Sequence, residues 1–189
     1  MWVDVIIPAY NPGHYIDDAI KSCLSQSYKK FNIIVIDDNS SQNVHAIVSK
    51  YKSVKYIRNE KNMGPSFSRN VGIKNSSSEL ISLLDADDVW HRDKLAHSVK
   101  ALSDNGELGM TCGNYQIMVR GRPRAPFYKK AVRIDHESLM RINYVASGST
   151  TLRRSAVEEV GLFNEKYWIS EDYDMWVRMS ERYPIEYIH

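Results

Sequence analysis

Short apolar runs alternate with longer segments of helical periodicity through the first half of the chain. The β-branched content of the runs predicts buried strands at residues 3–8, 31–36, 54–57 and 80–84. The intervening segments predict helices at residues 13–26, 44–51, 65–74 and 93–103. Strands and helices that alternate in this way are typical of parallel βαβ units. We therefore predict an α/β fold with a Rossmann-like, mostly parallel central sheet flanked by helices.

In the second half of the chain, the pattern of apolar residues predicts shorter and less regular elements. We expect a long strand at residues 108–119, a basic loop, a short helix at 136–141, a strand at 149–153, helices at 155–160 and 171–182, and a strand at 185–188. No repeat, low-complexity segment or linker interrupts the pattern, so we expect one domain over residues 1–189 with halves 1–104 and 105–189. The last predicted strand ends the chain, which suggests a C-terminally truncated protein.

Composition and charge narrow the class of protein. The net charge is only +2, with 43% hydrophobic and 25% charged residues, which is typical of a globular domain and gives no overall field for nucleic acid. Cys23 and Cys112 lack metal-ligand spacing and are expected to be buried in a reducing compartment. Neither a signal peptide nor a membrane-spanning run is apparent. We predict a protein of the cytoplasm, or of a membrane surface facing it.

The stretch from residue 120 to residue 133 is basic and contains no acid. Its cations are Arg120, Arg122, Arg124, Lys129, Lys130 and Arg133. A solvated surface loop is one interpretation. The other is peripheral membrane association, in which the loop attracts anionic lipid headgroups or the pyrophosphate of a lipid-linked acceptor, with Phe127 and Tyr128 touching the membrane.

The strongest chemical motif is Asp85-Ala86-Asp87-Asp88, at the end of the fourth predicted strand. Ligands of parallel sheets bind where strands end at their carboxyl side. Alternate residues of an extended segment point the same way, so Asp85 and Asp87 can meet one ion while Ala86 faces the core. Mg²⁺ and Mn²⁺ take oxygen ligands of this kind, together with phosphates and water. A solvated acidic turn is the competing interpretation.

Two further strand ends carry polar or aromatic groups. Asp38 follows the second predicted strand, where a buried carboxylate could accept the ring N–H of uracil; a plain turn is the alternative. Pro8, Tyr10 and Asn11 close the first strand, where an aromatic ring could stack on a base or simply end the strand. Gly64 precedes a helix whose N-terminus suits anionic phosphates, with Arg69 one turn further along.

Acidic residues also open the last predicted helix, at residues 171–174. The helix dipole favours acids there, and that structural role is the default explanation. The functional alternative is a catalytic base. Transfer of a sugar to a hydroxyl with inversion needs one carboxylate to take the proton of that hydroxyl.

In this order and spacing, the motifs at residues 5–11, 36–40, 62–70, 84–88, 160–165 and 171–178 resemble the inverting glycosyltransferases of family 2, which have the GT-A fold. The resemblance covers nearly the whole chain. It implies that residues 1–104 bind a nucleotide sugar, most simply a UDP-sugar, and that residues 105–189 face the acceptor. It further implies transfer of a hexosyl or N-acetylhexosaminyl group to a glycan or lipid-linked acceptor, as in bacterial surface polysaccharides.

The resemblance also implies a role for each matching residue. Asp172 would be the general base, with Glu171 orienting it or the acceptor. Asp87 would bind Mn²⁺ or Mg²⁺, with Asp85 shared between metal and ribose, while Asp88 is a structural acid of the following turn. The nucleotide sugar would be bound by Pro8, Tyr10, Asn11, Asp38, Gly64, Arg69, Asp85 and Ala86. In this set, Arg69 would brace the acidic cluster or the diphosphate.

Some features depart from the family pattern, and two other functions are compatible with a sheet of this kind. His91-Arg92-Asp93 stands where the family often has proline, and Asp93 can cap the helix instead. The Gln-x-x-Arg-Trp motif of processive synthases is missing. A sugar-nucleotide pyrophosphorylase would need a Gly-rich loop with Arg and Lys after the first strand, which residues 10–13 do not supply. A non-catalytic glycan-binding module would not need the intact carboxylates.

Overall fold

The computed structural model describes residues 1–119, 122–128 and 134–188. Its strands are β1 (Val3–Ala9), β2 (Phe31–Asp37), β3 (Val54–Arg58), β4 (Leu80–Leu83), β5 (Met110–Gly113), β6 (Gln116–Val119), β7 (Arg122–Pro126), β8 (Thr151–Arg153) and β9 (Ile185–Ile188). Its helices are α1 (Tyr15–Leu24), α2 (Val44–Val48), α3 (Pro65–Lys74), α4 (Lys94–Asp104), α5 (His136–Leu139), α6 (Arg154–Val160) and α7 (Glu171–Arg182), with a 3₁₀ turn at Ser147–Ser149.

A seven-stranded sheet in the order β3-β2-β1-β4-β8-β5-β9 forms the centre of the molecule. β1 pairs in parallel with both β2 and β4, while β8 runs antiparallel between β4 and β5. The carboxyl ends of β1, β2 and β4 therefore open at one edge, where a parallel sheet binds its ligands. The predicted α/β fold with a mostly parallel sheet is confirmed.

Both faces of the sheet are covered by helices, because alternate residues of each buried strand point to opposite sides. Val5 and Ile7 of β1 pack into one cluster, together with Ile16 of α1 and Leu95 of α4. Ile6 points the other way, into a cluster that includes residues of α3, α6 and α7. α3 approaches β1 closely: a Cβ on Gly72 would lie 2.4 Å from a methyl carbon of Ile6. This contact fixes the direction in which the N-terminus of α3 points.

The prediction of one long strand at residues 108–119 is wrong. Two strands form instead: β5 joins the central sheet, whereas β6 pairs with β7 in a separate antiparallel hairpin. Asn114 separates them, since its Oδ1 accepts the N–H of Tyr115 at 2.9 Å and that of Tyr128 at 3.1 Å. The Asn114 side chain thus accepts two backbone N–H groups that would pair with a neighbouring strand if β5 and β6 were continuous.

Other boundaries also differ from the predictions. The basic loop contains strand β7, and the strand expected from residue 149 begins only at Thr151, after the 3₁₀ turn. Asp93 occupies the N-cap position of α4, but its side chain makes no capping hydrogen bond. The basic residues Arg120, Lys129, Lys130 and Arg133 lie outside the described residues, as does Gly121. Within the described ranges, no helix has the length and apolarity required to cross a bilayer.

Candidate active site

A cleft of about 720 Å³ opens at the sheet edge where β1, β2 and β4 end. The residues around it come from the ends of these strands, from the start of α3 and from the segment before α7. Every residue predicted to bind the nucleotide sugar or the metal lies in its wall: Pro8, Tyr10, Asn11, Asp38, Gly64, Arg69, Asp85, Ala86 and Asp87. The fold thus brings together groups that are far apart in the sequence.

The acidic motif follows β4 after Leu84 and forms a turn, so the extended segment expected for Asp85 to Asp87 is wrong. Ala86 is buried in the core, whereas Asp87 is exposed and the side chain of Asp85 is one-third exposed. The backbone N–H of Asp88 donates to the carbonyl of Asp85 at 3.1 Å, so Asp88 closes a turn. Burial raises the pKa of the Asp88 carboxyl to about 6, and the charges of Asp85 and Asp87 contribute to the rise.

This excess of negative charge fits a divalent cation. Among the residues that the structure describes, no three His, Cys, Asp or Glu side chains converge into a closed metal cage. Mg²⁺ and Mn²⁺ do not need one, because one or two carboxylates suffice when phosphates and water complete the shell. Asp85 and Asp87 lie in one turn and both line the cleft, so they have the chemistry for such a half-site.

Arg69 of α3 balances part of this charge. Only 4% of the residue is exposed, and its guanidinium lies 3.0 Å from Asp85 Oδ1 and 2.6 Å from Glu171 Oε1. It also lies over the ring of Phe163, 5.5 Å from the centroid. The guanidinium therefore connects the acidic motif after β4 to the first residue of α7.

The two acids at the start of α7 differ in their surroundings. Glu171 is 9% exposed and is bound to Arg69. Asp172 forms no ion pair within the described ranges; its Oδ1 accepts the N–H of Tyr173 at 2.7 Å. Burial raises the pKa of the Asp172 carboxyl, and the Glu171 charge adds to the rise. A raised pKa suits a group that takes a proton near neutral pH.

Asp38 at the end of β2 is 4% exposed and is held mainly by backbone groups. Its carboxylate accepts the N–H of Gly64 at 2.8 Å, the N–H of Met63 at 3.0 Å and the amide of Asn59 at 2.7 Å. These bonds attach the loop before α3 to the end of β2. Two carboxylate oxygens offer about four acceptor positions, so a fourth donor such as a base N–H could still be accommodated.

The end of β1 is fixed to the end of β2 in a comparable way. Asn11 has a positive φ of 48°, and its Oδ1 accepts the N–H of Ser41 at 2.9 Å. Its own N–H donates to Ser40 Oγ at 2.9 Å. Tyr10 is 55% exposed and lines the cleft, so its ring is free to contact a ligand. Asn11 shapes the turn, while Tyr10 presents an aromatic surface.

Comparison with known proteins decides the family. Residues 4–161 match the family model described as "Glycosyl transferase family 2". The chain belongs to glycosyltransferase family 2. Four of the motifs that carried the resemblance, at residues 5–11, 36–40, 62–70 and 84–88, supply residues to the wall of the cleft. The motifs at 160–165 and 171–178, which include Glu171 and Asp172, do not line it.

Individual relatives agree with this assignment. An uncharacterized glycosyltransferase of Rickettsia typhi is 32% identical over 184 residues, covering 93% of this chain and 58% of that protein. The chain thus spans little more than half of this relative's length. The Escherichia coli protein WfgD, named as a UDP-Glc:α-D-GlcNAc-diphosphoundecaprenol β-1,3-glucosyltransferase, is 28% identical over 177 residues, covering 93% of this chain and 68% of WfgD.

Solved structures show the same fold. Staphylococcus aureus TarS, residues 1–349, superposes with a TM-score of 0.82 at 26% identity, covering all of this chain and 58% of TarS. A crystal structure of the same protein in complex with UDP gives a TM-score of 0.81 at 25% identity. A protein with the fold of this chain has therefore been crystallised in complex with UDP.

Trp168 is a residue of the cleft that the sequence motifs did not indicate. Its indole is 60% exposed, and it lies 3.3 Å from the point that a Cβ on Gly64 would occupy. Gly64 has a φ of 87°, which favours glycine on its own account, and the close indole adds a second restriction. An aromatic residue three positions before Glu171 carries no periodic signal, so only the structure places it in the cleft.

Replacing Arg69 by methionine should destabilise this glycosyltransferase by about 3–5 kcal/mol in metal-free buffer, because two carboxylates lose their buried counter-charge. The free energy of unfolding in urea measures the effect. Arg92→Met is the control: its side chain is 71% exposed and its nearest carboxylate, on Asp93, is 3.7 Å away, so a change within about 0.5 kcal/mol is expected. If Arg69→Met lowers the free energy of unfolding no more than the control does, solvent already screens the charges of Asp85 and Glu171.

Proposed function

We propose that this family 2 glycosyltransferase moves a hexosyl or N-acetylhexosaminyl group from a UDP-sugar to a hydroxyl of a glycan or lipid-linked acceptor, with inversion and with a divalent metal. The observation that carries the proposal is the arrangement around Arg69. Its guanidinium joins the acidic motif, at the phosphate end of the cleft, to the acids that open α7.

Relatives support the choice of donor and acceptor. WfgD is named for a UDP-glucose donor and a lipid-diphosphate acceptor, and TarS has been crystallised with UDP-GlcNAc as well as with UDP. The amylovoran biosynthesis glycosyltransferase AmsB of Erwinia amylovora is another relative, 29% identical over 192 residues. Carried over to this chain, these names favour a UDP-sugar and a growing bacterial surface polysaccharide.

Asp87 and Asp85 would hold the metal, which supplies positive charge to the diphosphate as it leaves. The other donor contacts come from the chain itself. Tyr10 offers a face for the base, and Asp38 has acceptor capacity next to the loop that it positions. The N-terminus of α3, with Pro65 as its first residue, directs backbone N–H groups toward the cleft, where phosphates are favoured.

Asp172 would act as the general base. The acceptor hydroxyl gives its proton to the Asp172 carboxylate while its oxygen forms the bond to the anomeric carbon, and the bond from that carbon to the diphosphate oxygen breaks. A single displacement of this kind inverts the anomeric configuration. Glu171 is bound to Arg69 and positions the first turn of α7, so the two neighbouring acids have separate tasks.

A donor screen tests the proposal as a whole. The full chain is incubated with UDP- and GDP-sugars and a polyprenyl-diphosphate-linked saccharide, with Mn²⁺, Mg²⁺ or EDTA, and released UDP, GDP and pyrophosphate are quantified. We expect UDP from a UDP-sugar with metal and almost none with EDTA. Release of GDP would show that the donor is a GDP-sugar. Equal rates of release with metal and with EDTA would show that transfer needs no metal. A chain that UDP and metal fail to stabilise against heat would instead be a non-catalytic glycan-binding module.

Asp172→Asn should lower turnover by about 10²–10⁴-fold and leave UDP-sugar binding intact, because the variant lacks only the proton acceptor. Steady-state UDP release and calorimetric donor binding measure the two effects. Asp174→Asn is the matched control, since the same change lies one half-turn further along α7, on a carboxylate that is bound to Arg178 at 2.7 Å. If Asp172→Asn turns over as fast as the control, Asp172 is not the base.

We further propose a cytoplasmic enzyme that binds the membrane surface through the β6–β7 hairpin. Val119 pairs with Arg122, and Ile117 lies two positions before Val119 in β6, next to a register irregularity; all three are exposed. Within the described ranges neither Arg122 nor Arg124 has an ion-pair partner. Apolar and cationic groups on one exposed face suit anionic lipid headgroups.

Vesicle co-sedimentation tests the membrane proposal. Charge reversal at Arg122 and Arg124 should reduce binding to vesicles of phosphatidylglycerol by about tenfold or more. Reversal of the exposed Lys50 and Lys52, after α2, changes the net charge equally and should have a smaller effect. Equal losses in the two variants would mean that the hairpin is no binding surface.

A further inference from the structure

Lys94 is a buried cation that the reaction proposed above does not use. It is the first residue of α4, and its Nζ donates to the carbonyl of Thr150 at 2.9 Å, to Thr151 Oγ1 at 2.7 Å and to Ser82 Oγ. All three acceptors are neutral oxygens. Within the described ranges the ammonium has no carboxylate partner, in contrast to Arg69.

Two of these acceptors, Thr150 and Thr151, directly follow the 3₁₀ turn at Ser147–Ser149. Trp90 binds that turn as well. The indole N–H of Trp90 donates to the carbonyl of Gly148 at 2.6 Å. Its ring lies 4.2 Å from the Nζ of Lys94, so the cation and the indole also attract each other. Residues 147–151, which we call the 147–151 turn, are thus bound at two points by the segment that leads into α4.

The 147–151 turn lies directly against the acidic motif. A Cβ on Gly148 would lie 2.9 Å from Asp88 Oδ2 and 3.6 Å from the backbone nitrogen of Asp85. A shift of the turn by about 1 Å would therefore move into the motif or open a gap beside it. The position of this turn is one boundary of the place where the metal and the donor sugar would lie.

A buried ammonium is a poor choice if only the fold needs stabilising. Burial lowers the pKa of Lys94 to about 7, and the titratable groups that act on it are the thiols of Cys23 in α1 and Cys112 in β5. Both thiols have a pKa raised to about 12 and stay neutral at physiological pH. Ser82 and Thr151 already lie 2.9 Å apart and can bond each other without the lysine. An apolar side chain of equal length would avoid burying a charge.

We propose that Lys94 is a positioning residue, which holds the 147–151 turn against the acidic motif and so sets the geometry of the donor sugar for transfer. The inference rests on the proposed function, because it needs a donor in the cleft. It extends that function to a residue outside the cleft wall, acting through Thr150 and Gly148.

Lys94→Met separates positioning from stability. We expect an unfolding midpoint that is unchanged or higher, because the buried charge is gone, and a turnover lower by about 10²-fold, because the turn is no longer held within the tolerance that catalysis needs. The matched control is Lys100→Met on the same helix. The Lys100 side chain is 74% exposed, and its ammonium pairs with Asp104. The control should change neither quantity.

Stability against pH gives a readout that does not depend on activity. The pKa of Lys94 is about 7 in the folded protein and about 10.4 in the unfolded chain, so between these values the unfolded state binds more protons. Stability must then rise with pH over this window. Wild type should gain stability relative to Lys94→Met between pH 7 and 10, and an equal pH dependence in both would show that the ammonium is not buried.

Trp90→Phe is the second variant, which keeps the ring but removes the indole N–H bound to Gly148. Like Lys94→Met, it should lower turnover. If Lys94→Met does not fold, the turnover of Trp90→Phe tests whether the position of the 147–151 turn matters for transfer. Wild-type turnover in either folded variant would overturn the inference, as would a loss of activity that merely follows a loss of stability. Failure of the proposed function is distinguishable, since wild type itself would then release no UDP.

Discussion

The ion pairs of Arg69 are the interaction on which the rest of the site depends. The guanidinium comes from α3 and is nearly removed from solvent, yet it reaches Asp85 after β4 and Glu171 at the start of α7. Glu171 lies 102 residues away in the chain. Without this cation, α7 would present its first carboxylate to an acidic strand end at close range, and the two halves of the cleft would repel each other.

One guanidinium does not neutralise the site. Asp87, Asp88 and Asp172 add carboxylates beside Asp85 and Glu171. Burial is the main cause of the raised pKa of Asp88 and of Asp172, and the charges of neighbouring carboxylates add to both rises. A protein that only needed stability would not maintain this imbalance. It is the arrangement expected of a site that binds a cation together with an anionic diphosphate and that keeps one carboxylate ready for a proton. Arg69 and Lys94 then have different tasks. Arg69 balances the negative charge of carboxylates, whereas Lys94 binds the backbone carbonyl of Thr150.

Much of the cleft could be predicted from the sequence, because local patterns determine where parallel strands end. The order of Pro8, Asp38 and Asp85 along the chain, each at a strand end, was sufficient to place them at one edge of the sheet. The family match adds the assignment to glycosyltransferase family 2. The roles of individual residues, including the metal ligands and the base, remain predictions.

Long-range pairs could not be predicted, since no periodicity reports them. The bond between Arg69 and Glu171, the indole of Trp168 over Gly64 and the hold of Lys94 on Thr150 all depend on how distant segments pack. The division of the strand predicted at residues 108–119 has a similar cause. Asn114 pairs with Tyr128 fourteen positions away, and an apolar pattern cannot show that.

In the proposed reaction, Asp85 and Asp87 form half of a metal site that the nucleotide diphosphate completes. Calorimetric titration of UDP with and without Mn²⁺, on wild type and Asp87→Asn, tests it most directly. Wild type should bind UDP at least about tenfold more tightly with Mn²⁺, and Asp87→Asn should lose most of that gain because a hard ligand of the ion is missing. Equal UDP affinity with Mn²⁺ and with EDTA in the wild type would contradict the account.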